Sequence, residues 1–253
     1  MKMNISNLSV KYQNNHVLKD ISTEVYGGEF ISLIGPNGTG KTTMIKAIAN
    51  LLSSKGDVTI ANRNGKRISR KKIAYVPQMS VTASELTVFE TILLGRVQSL
   101  GWKVEKHHLD AVMDIINELG LSDLCYSSFS RLSGGQRQLV IMAQALVSDP
   151  KVLLLDEPTS ALDLKHQLKV LDIAKDYTKR KNIITMVVMH DLSLVARYSD
   201  RVLLLHDGYI EKSGNPYEVL KNDLIEKVYQ VQVDVSQSNK GYTTVTPISA
   251  IAN

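Results

Sequence analysis

The chain has little of what marks a secreted or membrane-spanning protein. It carries one cysteine, Cys125, with no partner for an internal disulfide, so nothing points to an oxidising compartment. A small, partly buried apolar residue is the reading that remains for it. The segment Met1-Lys2-Met3-Asn4-Ile5 lacks the apolar core of a signal peptide. Apolar runs such as residues 152–155 are far too short to cross a bilayer, so any membrane role has to come through partner subunits. Internal repeats, low-complexity tracts and long coiled-coil heptads are absent from the sequence.

What is present is ordinary for a globular enzyme. The 253 residues, 43% hydrophobic and 22% charged, can bury a sizeable core. A net charge of +5 and a pI near 9.1 permit contact with anionic lipid or nucleic acid but do not require it. The main basic cluster, Arg63, Lys66, Arg67, Arg70, Lys71 and Lys72, falls on an expected hairpin or turn and reads as a solvated face. No nucleic-acid partner is expected.

Two stretches carry chemistry of their own. Gly35-Pro36-Asn37-Gly38-Thr39-Gly40-Lys41-Thr42 is the G-x-x-x-x-G-K-[ST] pattern of a phosphate-cradling loop. It follows a buried parallel-strand candidate at 30–34 and precedes helical spacing over 41–52, with Met44, Ile45, Ile48, Ala49 and Leu52 apolar. Its glycines let backbone N–H groups turn inward at a helix N-terminus. Lys41 supplies a charge for the β- and γ-phosphates, and Thr42 a hydroxyl for Mg²⁺. The second stretch, residues 152–157, is an apolar strand ending in Asp156-Glu157, which puts two carboxylates at the C-terminal edge of a parallel sheet. Asp156 suits an Mg²⁺ partner, and Glu157 a general base for the attacking water.

A third stretch narrows the field. Leu132-Ser133-Gly134-Gly135-Gln136, shortly before that acidic strand and downstream of the phosphate loop, makes the chain resemble the ATP-binding subunit of an ATP-binding-cassette (ABC) transporter over residues 3–214. The resemblance implies roles residue by residue. Thr43 extends the ATP-binding loop of Gly35 to Thr42, and Tyr12 matches the aromatic that stacks on adenine, although a tyrosine packed at a strand end is the other reading. Gln78, in Tyr75-Val76-Pro77-Gln78, matches the Q-loop glutamine that contacts Mg²⁺ and the water. His190 matches the switch histidine at the γ-phosphate. Ser160-Ala161-Leu162-Asp163 matches the D-loop at a dimer seam.

The same resemblance implies that residues 132–136 serve the ATP held by a second copy. The expected unit is then a two-fold homodimer enclosing two ATP molecules. Gln144 departs from the family pattern, which often has arginine there.

The expected fold is α/β, a P-loop ATPase core with a parallel sheet, an N-terminal antiparallel β subdomain and a helical subdomain. The core is expected over about 1–85 and 150–215, the helical subdomain over 86–149, and a C-terminal extension over 216–253. Strands are expected at 4–10, 23–26, 30–34, 57–60, 73–76, 152–155, 183–189, 201–206 and 209–212. Helical spacing is expected at 217–229, and the polar stretch 236–242 carries no readable function.

Residues 86–96 are expected to line the groove for a permease's coupling helix. They and residues 196–205 look like the corresponding segments of iron–siderophore, haem and vitamin B12 importers. The implied activity is ATP hydrolysis on the cytoplasmic face, driving permease subunits and, indirectly, an extracytoplasmic binding protein. An iron chelate or haem is the favoured cargo. Zinc or manganese import and the iron–sulfur assembly ATPase are the competing readings.

Overall fold

A computed structural model describes residues 1–251 apart from 14, 79–84, 100–103 and 240. Strands β1 (Lys2–Tyr12) and β2 (Asn15–Tyr26) form a hairpin, and β3 (Phe30–Ile34) leads through a glycine-rich loop into α1 (Lys41–Ile48). After β4 (Lys55–Ala61) and β5 (Ile73–Val76) come α2 (Val88–Leu93), α3 (Lys106–Glu118) and α4 (Gly134–Leu146). Next are β6 (Val152–Asp156), α5 (Leu164–Lys181), β7 (Ile184–Val188), α6 (Leu192–Tyr198), β8 (Arg201–His206) and β9 (Tyr209–Gly214). The tail holds α7 (Pro216–Val219), α8 (Asn222–Tyr229) and a hairpin of β10 (Val231–Gln237) with β11 (Thr243–Ala250).

The central sheet has six strands in the order β5-β6-β7-β3-β8-β9, all parallel except the edge strand β9. Its inner strands are apolar at nearly every position because both faces are covered. Leu153, Leu155 and Val187 pack toward the helices, among them Val140 and Met142 of α4 and Leu171 of α5. Leu154, Met186 and Leu33 pack the other way, onto Met44 and Ile45 of α1 and the antiparallel sheet β2-β1-β4. The mixed α/β fold with a parallel sheet, an antiparallel β sheet and a helical segment is therefore as expected.

The crossing pattern positions the site. Strands β3, β5, β6 and β7 run parallel, so the segments that follow them leave from one edge of the sheet. Gly35, Gln78, Glu157 and His190 all come after those strands, at the edge where open α/β sheets bind ligands.

Four expectations need correction. Strand β2 begins at Asn15, eight residues before its expected start at 23. Its buried residues Leu18, Ile21 and Val25 do not keep a period of two, because Asp20 takes a left-handed turn (φ 49°), as Asn7 of β1 does (φ 51°) on the other side of the Leu8–Ile21 pair. Each turn shifts the register by a bulge and breaks the alternation. Helix α1 stops at Ile48, short of 52, with Asn50 left-handed just beyond it. The expected helix over 217–229 is two helices parted at Leu220 and Lys221. The polar stretch at 236–242 spans the end of β10 and most of the turn into β11. Cys125 is fully buried.

Candidate nucleotide site

The loop from Gly35 to Gly40 closes on itself before α1 begins. Gly40 is the N-cap of α1, with φ 100°, and a Cβ there would stand 2.7 Å from Leu18 Cδ2. Only glycine holds that turn without strain. No side chain caps this helix end, so its first N–H groups are left for a ligand. Lys41 is 5% exposed and bends back over the loop, donating from Nζ to the carbonyls of Gly35 (2.7 Å) and Pro36 (2.8 Å). Burial lowers its pKa, and the nearby charges of Glu157 and Asp156 pull it back up.

One carboxylate locks onto the helix start. Asp156, 2% exposed at the end of β6, accepts from Thr42 Oγ1 at 2.9 Å and from the Tyr75 hydroxyl at 3.1 Å. Burial, with Asp156 beside it, pushes the Tyr75 phenol well above its ordinary value. Tyr75 was not singled out as a site residue, although it stands three positions before Gln78. Its place in β5 beside Leu154 of β6 is what turns the ring toward Asp156.

The second carboxylate faces the cavity. Glu157 has φ 51°, a left-handed backbone that costs a non-glycine residue about 1–3 kcal/mol. That turn lifts its side chain off the strand direction, and its two oxygens meet two different partners. His190 Nε2 lies 2.7 Å from Oε1, and Gln78 Nε2 donates to Oε2 at 2.8 Å. These three groups face Asn37, Gly38 and residues 40–43 across a cavity of about 610 Å³, which Val17 of β2 also lines. Val17 had no signal in the sequence, because it lies in the part of β2 before the expected start at 23.

The remaining expected residues lie elsewhere. Tyr12 is 47% exposed at the end of β1, opposite Asn15, and is not in the cavity wall. Leu132 is buried, and Ser133 is the exposed N-cap of α4. There Ser133 Oγ accepts from Gln136 N, and Gln136 Oε1 accepts from Ser133 N. Gly134 has open space where a Cβ would stand, whereas Gly135 is buried. Ser160, Ala161, Leu162 and Asp163 form a tight turn into α5, with Ala161 at φ 60° and Asp163 as N-cap. None of 132–136 or 160–163 lines the cavity.

A second, more apolar groove of about 830 Å³ runs between β5, α2 and α4. Leu86, Leu94 and Val97 in its wall are 38%, 48% and 54% exposed. Gln144 lines it too, and its carbonyl would be 2.0 Å from a Cβ at Gly95, so the helical turn that follows α2 meets α4 backbone to backbone. Of residues 196–205, Tyr198 and Val202 to Leu205 are buried in the core, whereas Arg197 and Asp200 are exposed. The basic residues of 63–72 are exposed, as expected, and Arg70 is tied to Asn50 Oδ1 and the Val58 carbonyl.

The cavity has a cationic amine, free helix donors, a hydroxyl–carboxylate pair and a hydrogen-bonded carboxylate, the set that phosphoryl chemistry needs. The ABC transporter profile matches residues 18–160. The chain belongs to the ABC transporter family. It is an ATP-binding, ATP-hydrolysing cassette of that family.

It is 39% identical to an uncharacterised ABC transporter ATP-binding protein of Methanocaldococcus jannaschii, over 98% of both chains. It is 35% identical to the petrobactin import ATP-binding protein of Bacillus anthracis, covering 92% of this cassette and 88% of that protein. The hemin import ATP-binding protein of Vibrio parahaemolyticus is also 35% identical, over 88% of each. Among solved structures, a chain from an inward-facing ABC transporter assigned to the metal-chelate type superposes with a TM-score of 0.86, at 26% identity and 97% coverage of both. No helix among the described residues is long and apolar enough to cross a membrane.

Proposed function

We propose that this cassette is the ATPase subunit of an importer for an iron chelate, a siderophore complex or haem, acting as a two-fold homodimer on the cytoplasmic face of the cell membrane. It engages permease subunits directly and an extracytoplasmic binding protein through them. The observation that carries the catalytic part is the placement of Glu157 between Gln78 and His190 across the cavity from Lys41.

Lys41 exchanges the carbonyls of Gly35 and Pro36 for the β- and γ-phosphates, while the N–H groups at the start of α1 take the remaining phosphate oxygens. Thr42 and Asp156 suit Mg²⁺. Among the described residues no cluster of three or more His, Cys, Asp or Glu could cage an ion, and Mg²⁺ sites of this kind use one or two protein oxygens plus phosphates and water. Bound there, with Asp156 acting partly through water, the ion would neutralise charge building on the phosphates.

Each oxygen of Glu157 keeps a lone pair beyond the one given to its partner. The carboxylate therefore accepts a proton from the attacking water while Gln78 and His190 hold its orientation. His190, 44% exposed at the side chain, is also able to donate to the γ-phosphate. Tyr12 supplies an adenine platform once nucleotide is bound.

The segment 132–136 has its helix N-terminus outside its own chain's cavity, which fits service to the partner's γ-phosphate. Closing a pair that is mostly open needs nucleotide to favour the closed state by about 10⁴-fold, or ~5.5 kcal/mol. Two composite sites share that load. The groove over Leu86, Leu94 and Val97 is the seat for the permease's coupling helix.

The names of the petrobactin and hemin relatives favour iron-chelate cargo over the zinc and manganese alternative and over the iron–sulfur assembly reading. Deleting the gene should abolish growth on iron supplied only as a siderophore or haem complex. Undiminished uptake of every such complex, with uptake of a free divalent metal lost, overturns the cargo and leaves the ATPase standing.

A further inference from the structure

The first turn of α5 holds a histidine that the catalytic reading does not use. His166 lies with its ring against the backbone of Gly135, where a Cβ would meet Cδ2 at 2.2 Å, Cγ at 2.4 Å and Nε2 at 2.7 Å. The ring is fixed from its other side. Nδ1 sits 2.9 and 2.8 Å from the two carboxylate oxygens of Asp163, and the His166 backbone N–H donates to Asp163 Oδ1 at 2.9 Å. Those bonds hold the Asp163 carboxyl below its usual range, and an ionised carboxylate, which only accepts, puts a hydrogen on Nδ1.

The turn that ends at Asp163 is clipped at both ends. Ser160 Oγ donates to the Glu157 carbonyl at 3.0 Å, and Gln167 Nε2 donates to the Leu162 carbonyl at 3.0 Å. A continuous set of short contacts therefore runs from the backbone of Glu157, through residues 160–163, to the His166 ring and on to Gly135.

We propose that His166 is a positioning residue that clamps Gly135 to the turn 160–163, so that the helix end offered to the partner's ATP moves with the loop carrying this chain's own Glu157. The inference rests on the two-fold reading above. It gives each composite site a mechanical link to the other, because the segment completing the partner's site is braced by the loop of this one. The active element is the ring surface, and Asp163 keeps that ring in place.

The test uses the full chain with three substitutions. His166→Ala should lower kcat at saturating ATP at least tenfold and move the Hill coefficient for ATP toward one. Affinity for a fluorescent ATP analogue should stay within about twofold, and Tm within a few degrees. His166→Phe, which keeps a ring against Gly135, should recover most of the turnover. His166→Asn, which keeps a donor for Asp163 but no ring, should not. Turnover unchanged in His166→Ala overturns the proposal, and so does rescue by Asn rather than Phe, or a loss of kcat that only tracks lost affinity and Tm.

Size exclusion in ATP separates this from the reading beneath it. A Glu157→Gln chain that stays monomeric overturns the two-fold arrangement itself. A Glu157→Gln dimer that forms equally well with His166→Ala added, at normal kcat for the single variant, overturns the clamp alone.

Discussion

Helices α1 and α4 both end in N–H groups suited to an anion, and they are finished in opposite ways. At α1 the N-cap is Gly40, no side chain caps the turn, and the neighbouring amine of Lys41 is occupied only by carbonyls of its own loop. At α4 the N-cap is Ser133 and a reciprocal capping box with Gln136 satisfies donors at both ends of the turn. The first helix end is incomplete until nucleotide arrives. The second is stable on its own and can wait, preformed and exposed, for a ligand held by another molecule. On the proposed two-fold arrangement that contrast fits α1 to this chain's own nucleotide and α4 to the partner's, since residues 132–136 do not line the cavity between Lys41 and Glu157.

The hardest blow to the comparison comes from Glu157→Gln. If α4 completes the partner's α1 site, removing the general base should slow hydrolysis by about 10²–10⁴-fold and leave an ATP-bound dimer that survives size exclusion. Slow turnover in a particle that remains monomeric would mean that α4 serves no second molecule. Gln at 157 still accepts from Gln78 or His190 through its carbonyl oxygen, so the pocket keeps its shape and the loss reports the proton acceptor.

Ser133→Glu probes the other end of the same link. A carboxylate at the α4 N-terminus repels a γ-phosphate, and turnover should fall by about 10²–10³-fold, the scale of losing one preorganised donor. Because Ser133 lies outside its own chain's cavity, binding of ATP by the monomer should be unchanged when followed by thermal shift. Lost binding would instead assign residues 132–136 to the site of the same chain.

Lys41→Ala should remove the stabilisation that ATP confers through α1. At a concentration of 100 times Kd for the unaltered chain, that gain is about 2.7 kcal/mol, a rise in Tm of about 5–10 °C. A variant that keeps the full shift would show that the amine is spectator to the phosphates and would detach α1 from the comparison.

The two helix ends also differ in how far the sequence alone reveals them. The glycine spacing of 35–41 and the apolar run into Asp156-Glu157 are dictated by local backbone need, so both are visible in a single chain. Gln78 and His190 follow apolar strands, but only the parallel order of β5, β6, β7 and β3 brings them to one carboxylate. Tyr75, Val17 and His166 escaped notice for a related reason: their roles come from what packs beside them. Nothing in the spacing of residues 160–166 announces that a ring will lie on Gly135. The first half of β2 was missed because the bulge at Asp20 puts Leu18 out of phase with Ile21 and Val25. The β10–β11 hairpin was missed although Val231, Val233 and Val235 alternate with polar residues in β10; its partner β11 is mostly exposed, carries Pro247 and shows no comparable alternation.

The smallest effect belongs to the capping box itself, and it isolates the difference between the two helix ends. Ser133→Ala removes the acceptor for Gln136 N, while the Gln136 side chain still accepts from the backbone N–H at 133, so one of the two bonds of the box is lost. Losing such a cap costs about 1 kcal/mol, so Tm of the nucleotide-free chain should drop by about 2–4 °C. At α1 no comparable side-chain cap exists to delete, and stability there should respond to ATP instead. The ATP-induced rise in Tm should therefore be the same size in Ser133→Ala as in the unaltered chain, measured from a lower starting point. A rise that shrinks with the cap would mean that α4 already contacts nucleotide within the monomer, and the division of labour between the two helix ends would fail.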